Sequence, residues 1–257
     1  MYYEEHGDGD PLILIAGLAS DSQSWFPVLE QLARHSRVII FDNRGVGRTT
    51  PQEAKNSISL MTDDMVDLMK KLNISSATCL GHSMGGFIAQ DLAVRYPEFV
   101  NRLILAGTSS FMNARNQSLL FDWVENQESG MPQKRWFRNF FYWIFTPPFF
   151  ESSEAVDYAL KMALEYPYPQ SQAGFRKQAE ALASFDARKI LYQINAPTLV
   201  LCGEKDLLFP PEDSIEIFDS LPDKIIRVVL NSAHAIHMEN PLGFIQFVND
   251  FMLSDEV

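Results

Sequence analysis

The 257-residue chain is short of cysteine, of positive charge and of long apolar runs, and each shortage closes off a class of protein. Its two cysteines, Cys79 and Cys202, are too few for a disulfide framework, so the chain reads as a protein of a reducing cytoplasm. Lys and Arg number 21 against 33 Asp and Glu, a net charge of −12. Such a surface repels nucleic acid and anionic membranes, and its plainest use is solubility. The densest aromatic run, FFYWIFTPPFF, is about half as long as a membrane-spanning helix and is broken by Pro147 and Pro148. The opening MYYEEHGDGDP is acidic rather than basic-then-apolar, so no secretory leader is expected.

What is present is a strand-helix alternation. Short apolar runs recur between turn residues: PLILIAG, RVIIFDNRG, ATCLGHS, RLILAGTS, PTLVLCGEKD and IIRVVLNSAH. They are continuous rather than alternating, as strands buried on both faces of a parallel sheet must be. Between two of them, Met61, Met65, Leu68, Met69 and Leu72 form an apolar stripe at helical spacing. The pattern predicts an α/β fold with a mostly parallel central sheet flanked by helices. It lapses from about Phe111 to Asp186, where helical segments are punctuated by Gly130-Met131-Pro132, Pro147-Pro148 and Pro167-Tyr168-Pro169. A core of residues 1–110 and 187–257, interrupted by a helical insert over 111–186, is the expected organisation.

The chemistry is concentrated in CLGHSMGGF, which contains Gly81-x-Ser83-x-Gly85 where an apolar strand meets a helix beginning at Met84. A serine in so sharp a turn adopts strained dihedrals, and glycines on either side let the backbones pass. The helix N-terminus adds positive potential where an oxyanion would form. With this motif, FDNRGVGRT, LVLCGEKDLLFP and SAHAIHMENP, nearly the whole chain resembles the α/β-hydrolase family. The resemblance implies a nucleophile elbow at Ser83 and the triad order Ser83, Asp206, His234. A serine hydroxyl needs a neutral imidazole to take its proton, and the imidazole needs a carboxylate to fix its tautomer. Asp206 follows its strand by a few residues. Glu204 is closer to the strand end, and Asp213 is expected in the next helix. The position after the strand following the elbow reads Ala106-Gly107-Thr108-Ser109 and offers no acid.

The resemblance further implies an oxyanion hole made by the backbone N–H groups of Leu18 and Met84. Ala16-Gly17 stands where relatives commonly have His-Gly, and the stretch before Leu12 leaves room for only part of their usual first hairpin. His234 and His237, three residues apart, raise the question of a metal. The other three histidines are scattered and no clustered cysteines accompany them, so no metal is expected. His234 matches the first histidine of the family's His-x-x-x-x-Glu-x-Pro loop, with Glu239 and Pro241 in place. His237 is expected to brace the loop or meet substrate.

Asp42 and Arg44 are read as holding their own loop. In the insert, Trp136, Phe140 and Trp143 are candidate substrate-binding rings, and Arg115, Arg135, Arg138 and Arg176 are candidates to receive a substrate carboxylate. The expected function is a cofactor-independent serine hydrolase acting on a small ester, thioester or lactone with an apolar portion. Carbon–carbon cleavage of a vinylogous diketone, or slow turnover by a ligand receptor that keeps the triad, are the alternatives.

Overall fold

A computed structural model describes residues 1–254. Seven strands form one sheet: β1 (Tyr3–His6), β2 (Asp10–Ile15), β3 (Ser36–Phe41), β4 (Ala77–His82), β5 (Val100–Ala106), β6 (Thr198–Gly203) and β7 (Lys224–Val229). Their spatial order is β1-β3-β2-β4-β5-β6-β7, parallel throughout except for β1, which runs antiparallel to β3. The six apolar runs are the six parallel strands. The seventh, Tyr-Glu-Glu-His, carries no apolar run because it is a sheet edge, where charged side chains discourage pairing with other chains.

The period of two along each strand explains why the runs are continuous. Leu12 and Leu14 face one layer with Val38, Ile40 and Leu80, and Ile13 and Ile15 face the other with Ile39 and Phe41. The first layer is closed by α1 (Phe26–Leu32), α10 (Ile236–Glu239) and α11 (Pro241–Leu253), the second by α2 (Ile58–Lys71) and α3 (Met84–Arg95). The stripe Met61, Met65, Leu68 and Met69 is the buried face of α2, whose N-terminus is capped by the Ser57 side chain accepting from Leu60 N–H. A further helix, α9 (Pro211–Ile217), follows β6.

Between β5 and β6 lie α4 (Ala114–Glu128), α5 (Gln133–Ile144), α6 (Pro147–Glu151), α7 (Ser153–Leu164) and α8 (Gln172–Ala183). An isolated antiparallel bridge joins Phe111 to Asp186, so the two ends of this helical stretch meet. Phe141, Val156 and Leu160 form a small apolar cluster of their own, surrounded by half-buried rings that include Phe145, Phe149 and Phe150. Among the described residues no helix is long and apolar enough to cross a membrane. Cys79 and Cys202 lie on β4 and β6, either side of β5; both are free and buried, and burial pushes their thiols up to about 12 and about 11.

Candidate active site

Ser83 connects β4 to α3 with φ 53° and ψ −121°, a left-handed conformation that is costly for any residue with a Cβ. It is held there by its neighbours. Ser83 N–H donates to Ala106 O at 3.0 Å, and its carbonyl accepts from Gly86 N–H at 2.9 Å and from Thr108 Oγ1 at 2.7 Å. The glycines are dictated by close approach: a Cβ on Gly81 would stand 2.2 Å from Gly85 O, and one on Gly85 would stand 2.0 Å from Ile15 O. No side chain fits at either position, which is why the motif has glycine there.

The loop after β7 brings His234 over the serine. His234 Nε2 lies 2.9 Å from Ser83 Oγ, and Nδ1 lies 2.9 Å from Asp206 Oδ2. A carboxylate can only accept, so Nδ1 carries the proton and Nε2 faces the hydroxyl as acceptor. Asp206 is 2 % exposed and its other oxygen accepts from Leu208 and Phe209 N–H at 2.8 and 3.0 Å. Neither rival acid reaches the imidazole: Glu204 accepts from Asn231 N–H, and Asp213 lies in the first turn of α9. The His234 loop is itself braced. Glu239 accepts from Ala233 N–H at 2.7 Å and from the Thr146 N–H and hydroxyl at 2.8 Å, tying the loop to the N-cap of α6. Such an array can deprotonate a hydroxyl and stabilise the imidazolium that results.

Comparison with known proteins bears on this geometry. A family model described as alpha/beta hydrolase fold matches residues 10–241. The chain belongs to the alpha/beta hydrolase fold family. It is a hydrolase by family, and membership alone does not say which bond it cleaves. It is 29% identical over 98% of its length to a protein of Agrobacterium fabrum named carbamate hydrolase RutD, of which it covers 98%. It is 30% identical over 98% of its length to a protein of Mycobacterium tuberculosis named non-heme bromoperoxidase BpoC, covering 96% of it. The crystal structure of BpoC superposes with a TM-score of 0.89 at 29% identity, covering all of this chain and 96% of that one. An enol-lactonase from Burkholderia xenovorans superposes with a TM-score of 0.88 at 23% identity, 98% of this chain on 96% of that one, which is a likeness of fold.

In this hydrolase Ser83 opens onto a cavity lined mainly by apolar side chains, among them Met112, Leu119, Leu120, Phe140, Ile144 and Phe209. Of the residues expected to meet substrate, Phe140 and His237 border this cavity. Trp136 does not: it is 3 % exposed, donates its Nε1–H to Trp123 O at 2.9 Å and borders a second cavity. Trp143 is absent from both linings and lies beside the Arg115 guanidinium. Nor do the four candidate arginines line the Ser83 cavity; Arg176 is paired with Glu128 and Glu180, and Arg115 donates to Leu207 O. Helical spacing placed these side chains on helices, but not on the face that turns inward.

The FDNRGVGRT loop is held by hydrogen bonds, though through Arg48 as well as Arg44. Asp42, wholly buried, accepts from Ser22 N–H, Ser22 hydroxyl, Arg48 N–H and Arg48 Nε, while Arg44 grips Asp64 at 2.6 and 2.8 Å. His82, which sequence alone left among the scattered histidines, stands against the other two. Its ring is 4.9 Å from that of His234 and 4.7 Å from that of His237, and its Nε2 donates to His234 O at 2.8 Å. Its place next to Ser83 in sequence was the one available signal. Burial, then the two neighbouring histidines, hold the His82 imidazole well below its ordinary range. His237, its ring tilted 34° against that of Trp25 at 4.7 Å, has neither ring nitrogen in a hydrogen bond of good geometry. Burial pushes it down to about 3, against a weaker opposing pull from the Ser24 backbone. His237 is therefore a neutral ring packed behind the site. Among the described residues no three His, Cys, Asp or Glu side chains group as a metal site.

Proposed function

We propose that the chain is a serine hydrolase cleaving a small ester, thioester or lactone through an acyl-enzyme intermediate. The observation that carries the reading is the continuous Ser83–His234–Asp206 hydrogen-bond array at the base of an apolar cavity. In this reading Ser83 Oγ attacks the carbonyl as His234 Nε2 takes its proton, and Asp206 holds the imidazolium. His234 then returns the proton to the leaving oxygen or sulfur, and water, activated the same way, releases the acid. The developing oxyanion is assigned to Leu18 and Met84 N–H. Neither has an internal acceptor among the described residues, and Met84 opens α3, whose dipole favours negative charge. No metal or organic cofactor is needed. Residues 1–110 and 187–257 act as the core domain and 111–186 as its cap, and the substrate is a small molecule with an apolar part. The cytoplasm is the setting that two lone thiols suit.

The test is fluorophosphonate labelling with peptide mapping, followed by a panel of esters, thioesters, lactones, a vinylogous diketone and, given the name of one relative, a carbamate. Label on Ser83 and Ser83-dependent ester, thioester or lactone turnover support the reading. Label elsewhere, or Ser83-dependent turnover of the diketone or carbamate alone, refutes it.

A further inference from the structure

Beside the Ser83 cavity lies a second, and both are bordered by Ser20. Phe140 borders the first and Trp136 the second, and their rings stack 5.4 Å apart at 12°. The loop from Gly17 to Asp21 runs along both. In it Ala19 holds φ 58°, uncommon for a residue with a Cβ, in a turn closed by Ser20 N–H donating to Gly17 O at 3.3 Å. This strained turn sets Leu18 against one cavity and Asp21 against the other.

The chemistry of the two linings differs. Asp21 is the one side chain of formal charge in the second lining among the described residues, with no Lys, Arg or His beside it. It is 5 % exposed, and its carboxylate accepts from Gln23 N–H at 2.9 Å and from the Tyr166 hydroxyl. Arg48, a nearby cation, is committed to Asp42 at 3.0 Å and Glu4 at 3.3 Å and lies over the Tyr2 ring and, at 5.1 Å, the Tyr168 ring. Burial, and the like charge of Asp42, hold the Asp21 carboxyl above its ordinary range. A cation placed beside it would favour its charged form. Around the same cavity stand the rings of Trp136, Phe137, Tyr166 and Tyr168. A buried carboxylate and several π faces, of which Tyr168 already carries the Arg48 guanidinium 5.1 Å from its ring, are the components that bind an organic ammonium ion.

We propose that the second cavity receives a cationic, ammonium-bearing leaving group while the acyl chain occupies the apolar cavity over Ser83. The inference rests on the serine-hydrolase reading and names its substrate class, an acyl ester of an amino alcohol. Ser83 Oγ bonds to the acyl carbon, the ester C–O bond breaks, and the alkoxide leaves as the alcohol with the proton from His234. Water then returns Ser83 and releases the acid, so one water is consumed for each ester cleaved. The cation is not itself transformed; it positions the ester bond.

The experiment compares butyrylcholine with 3,3-dimethylbutyl butyrate, which differ by a quaternary nitrogen in place of a carbon. Expected is a kcat/KM about tenfold or more higher for the cation, falling to within about twofold of the neutral ester in Asp21→Asn. Because Asp21 also caps a turn, a second readout uses the unaltered enzyme. Tetramethylammonium should inhibit butyrylcholine cleavage competitively, with far less effect on p-nitrophenyl acetate. Ser83-dependent turnover of p-nitrophenyl butyrate with no preference for the cation, or no inhibition by tetramethylammonium, overturns this inference alone. No Ser83-dependent turnover of any ester overturns the serine reading and the inference with it.

Discussion

The sheet end that carries Ser83 and the helical stretch that roofs it are built to different tolerances. Below, Ile13, Ile15, Leu80, Leu103 and Leu105 are wholly buried, and glycines at 81 and 85 sit within van der Waals contact of other backbone. Above, α4–α8 pack ring against ring, yet Tyr142, Tyr158 and Met162 are 49%, 66% and 53% exposed. Main chain meeting main chain leaves no alternative arrangement, whereas aromatic side chains can repack around a different ligand. In the proposed reading, reactive geometry belongs to the sheet and selectivity to the helical stretch, and the contrast can be broken at named points.

The largest effect belongs to the sheet end. Ser83→Ala should lower turnover by about three orders of magnitude or more, roughly 4 kcal/mol, with Tm little changed. Alanine has the same Cβ as serine, so the strained backbone is no worse off. His234→Ala should match it, and His237→Ala should keep at least about a tenth of the activity. Steady-state kinetics on one ester checks all three, and the reverse order of the two histidine variants would move the base.

Gly85→Ala comes next. Its Cβ would meet Ile15 O at 2.0 Å, and backbone cannot yield as a side chain can. A loss of about 3 kcal/mol, at the upper end for overpacking, is expected in denaturant melts. The control from the roof is Gly130→Ala. There nothing lies within 4 Å of the new atom, so only the positive φ of 80° is penalised, at about 1 kcal/mol. Equal losses would erase the contrast in tolerance.

Acid should unfold the molecule through the histidines behind the site. His237, held at about 3 in the folded state, regains its ordinary basicity on unfolding, so below about pH 6.5 the unfolded chain binds a proton the folded chain does not. Stability is complete above that pH and falls as pH drops toward 3, by about 1.4 kcal/mol per pH unit for this one group. His82, also depressed by burial, adds to the slope in the same direction. His237→Phe should flatten the pH dependence of unfolding between pH 6 and 4 by about 1.4 kcal/mol per unit, measured by urea titration at each pH. An unchanged slope would mean the imidazole is not buried neutral.

The smallest effect separates one ring of the roof from another. Phe140→Ala should reduce the preference for p-nitrophenyl butyrate over acetate by about three- to tenfold, the equivalent of one or two buried methylenes. Trp143→Ala, outside the cavity, should leave that ratio within about twofold. If both behave alike, the cavity wall is not where the structure draws it.

The parallel strands, the helix beginning at Met84, and Ser83, Asp206 and His234 could all be read in the chain, because each has a local cause. Burial on both faces enforces continuous apolar runs in β2 to β6, though not in β7, an edge strand whose Ile225 is exposed, and close backbone approach enforces glycine. The candidate catalytic groups at strand ends follow their strands within a few residues. The polar edge strand β1 could not be read, since an edge needs no apolar alternation. Nor could the inward faces of α4–α8 be read: a ring at helical spacing faces a core, but the sequence does not say whether that core is cavity, sheet or another helix. Trp136 and Phe140 differ by four residues and share one helix face, yet tertiary packing gives one to each cavity. The meeting of His82, His234 and His237 was likewise decided only by the fold. Hydrogen bonds and ring contacts spanning some 150 residues depend on how the sheet brings β4 and the loop after β7 together, and no local pattern encodes that distance.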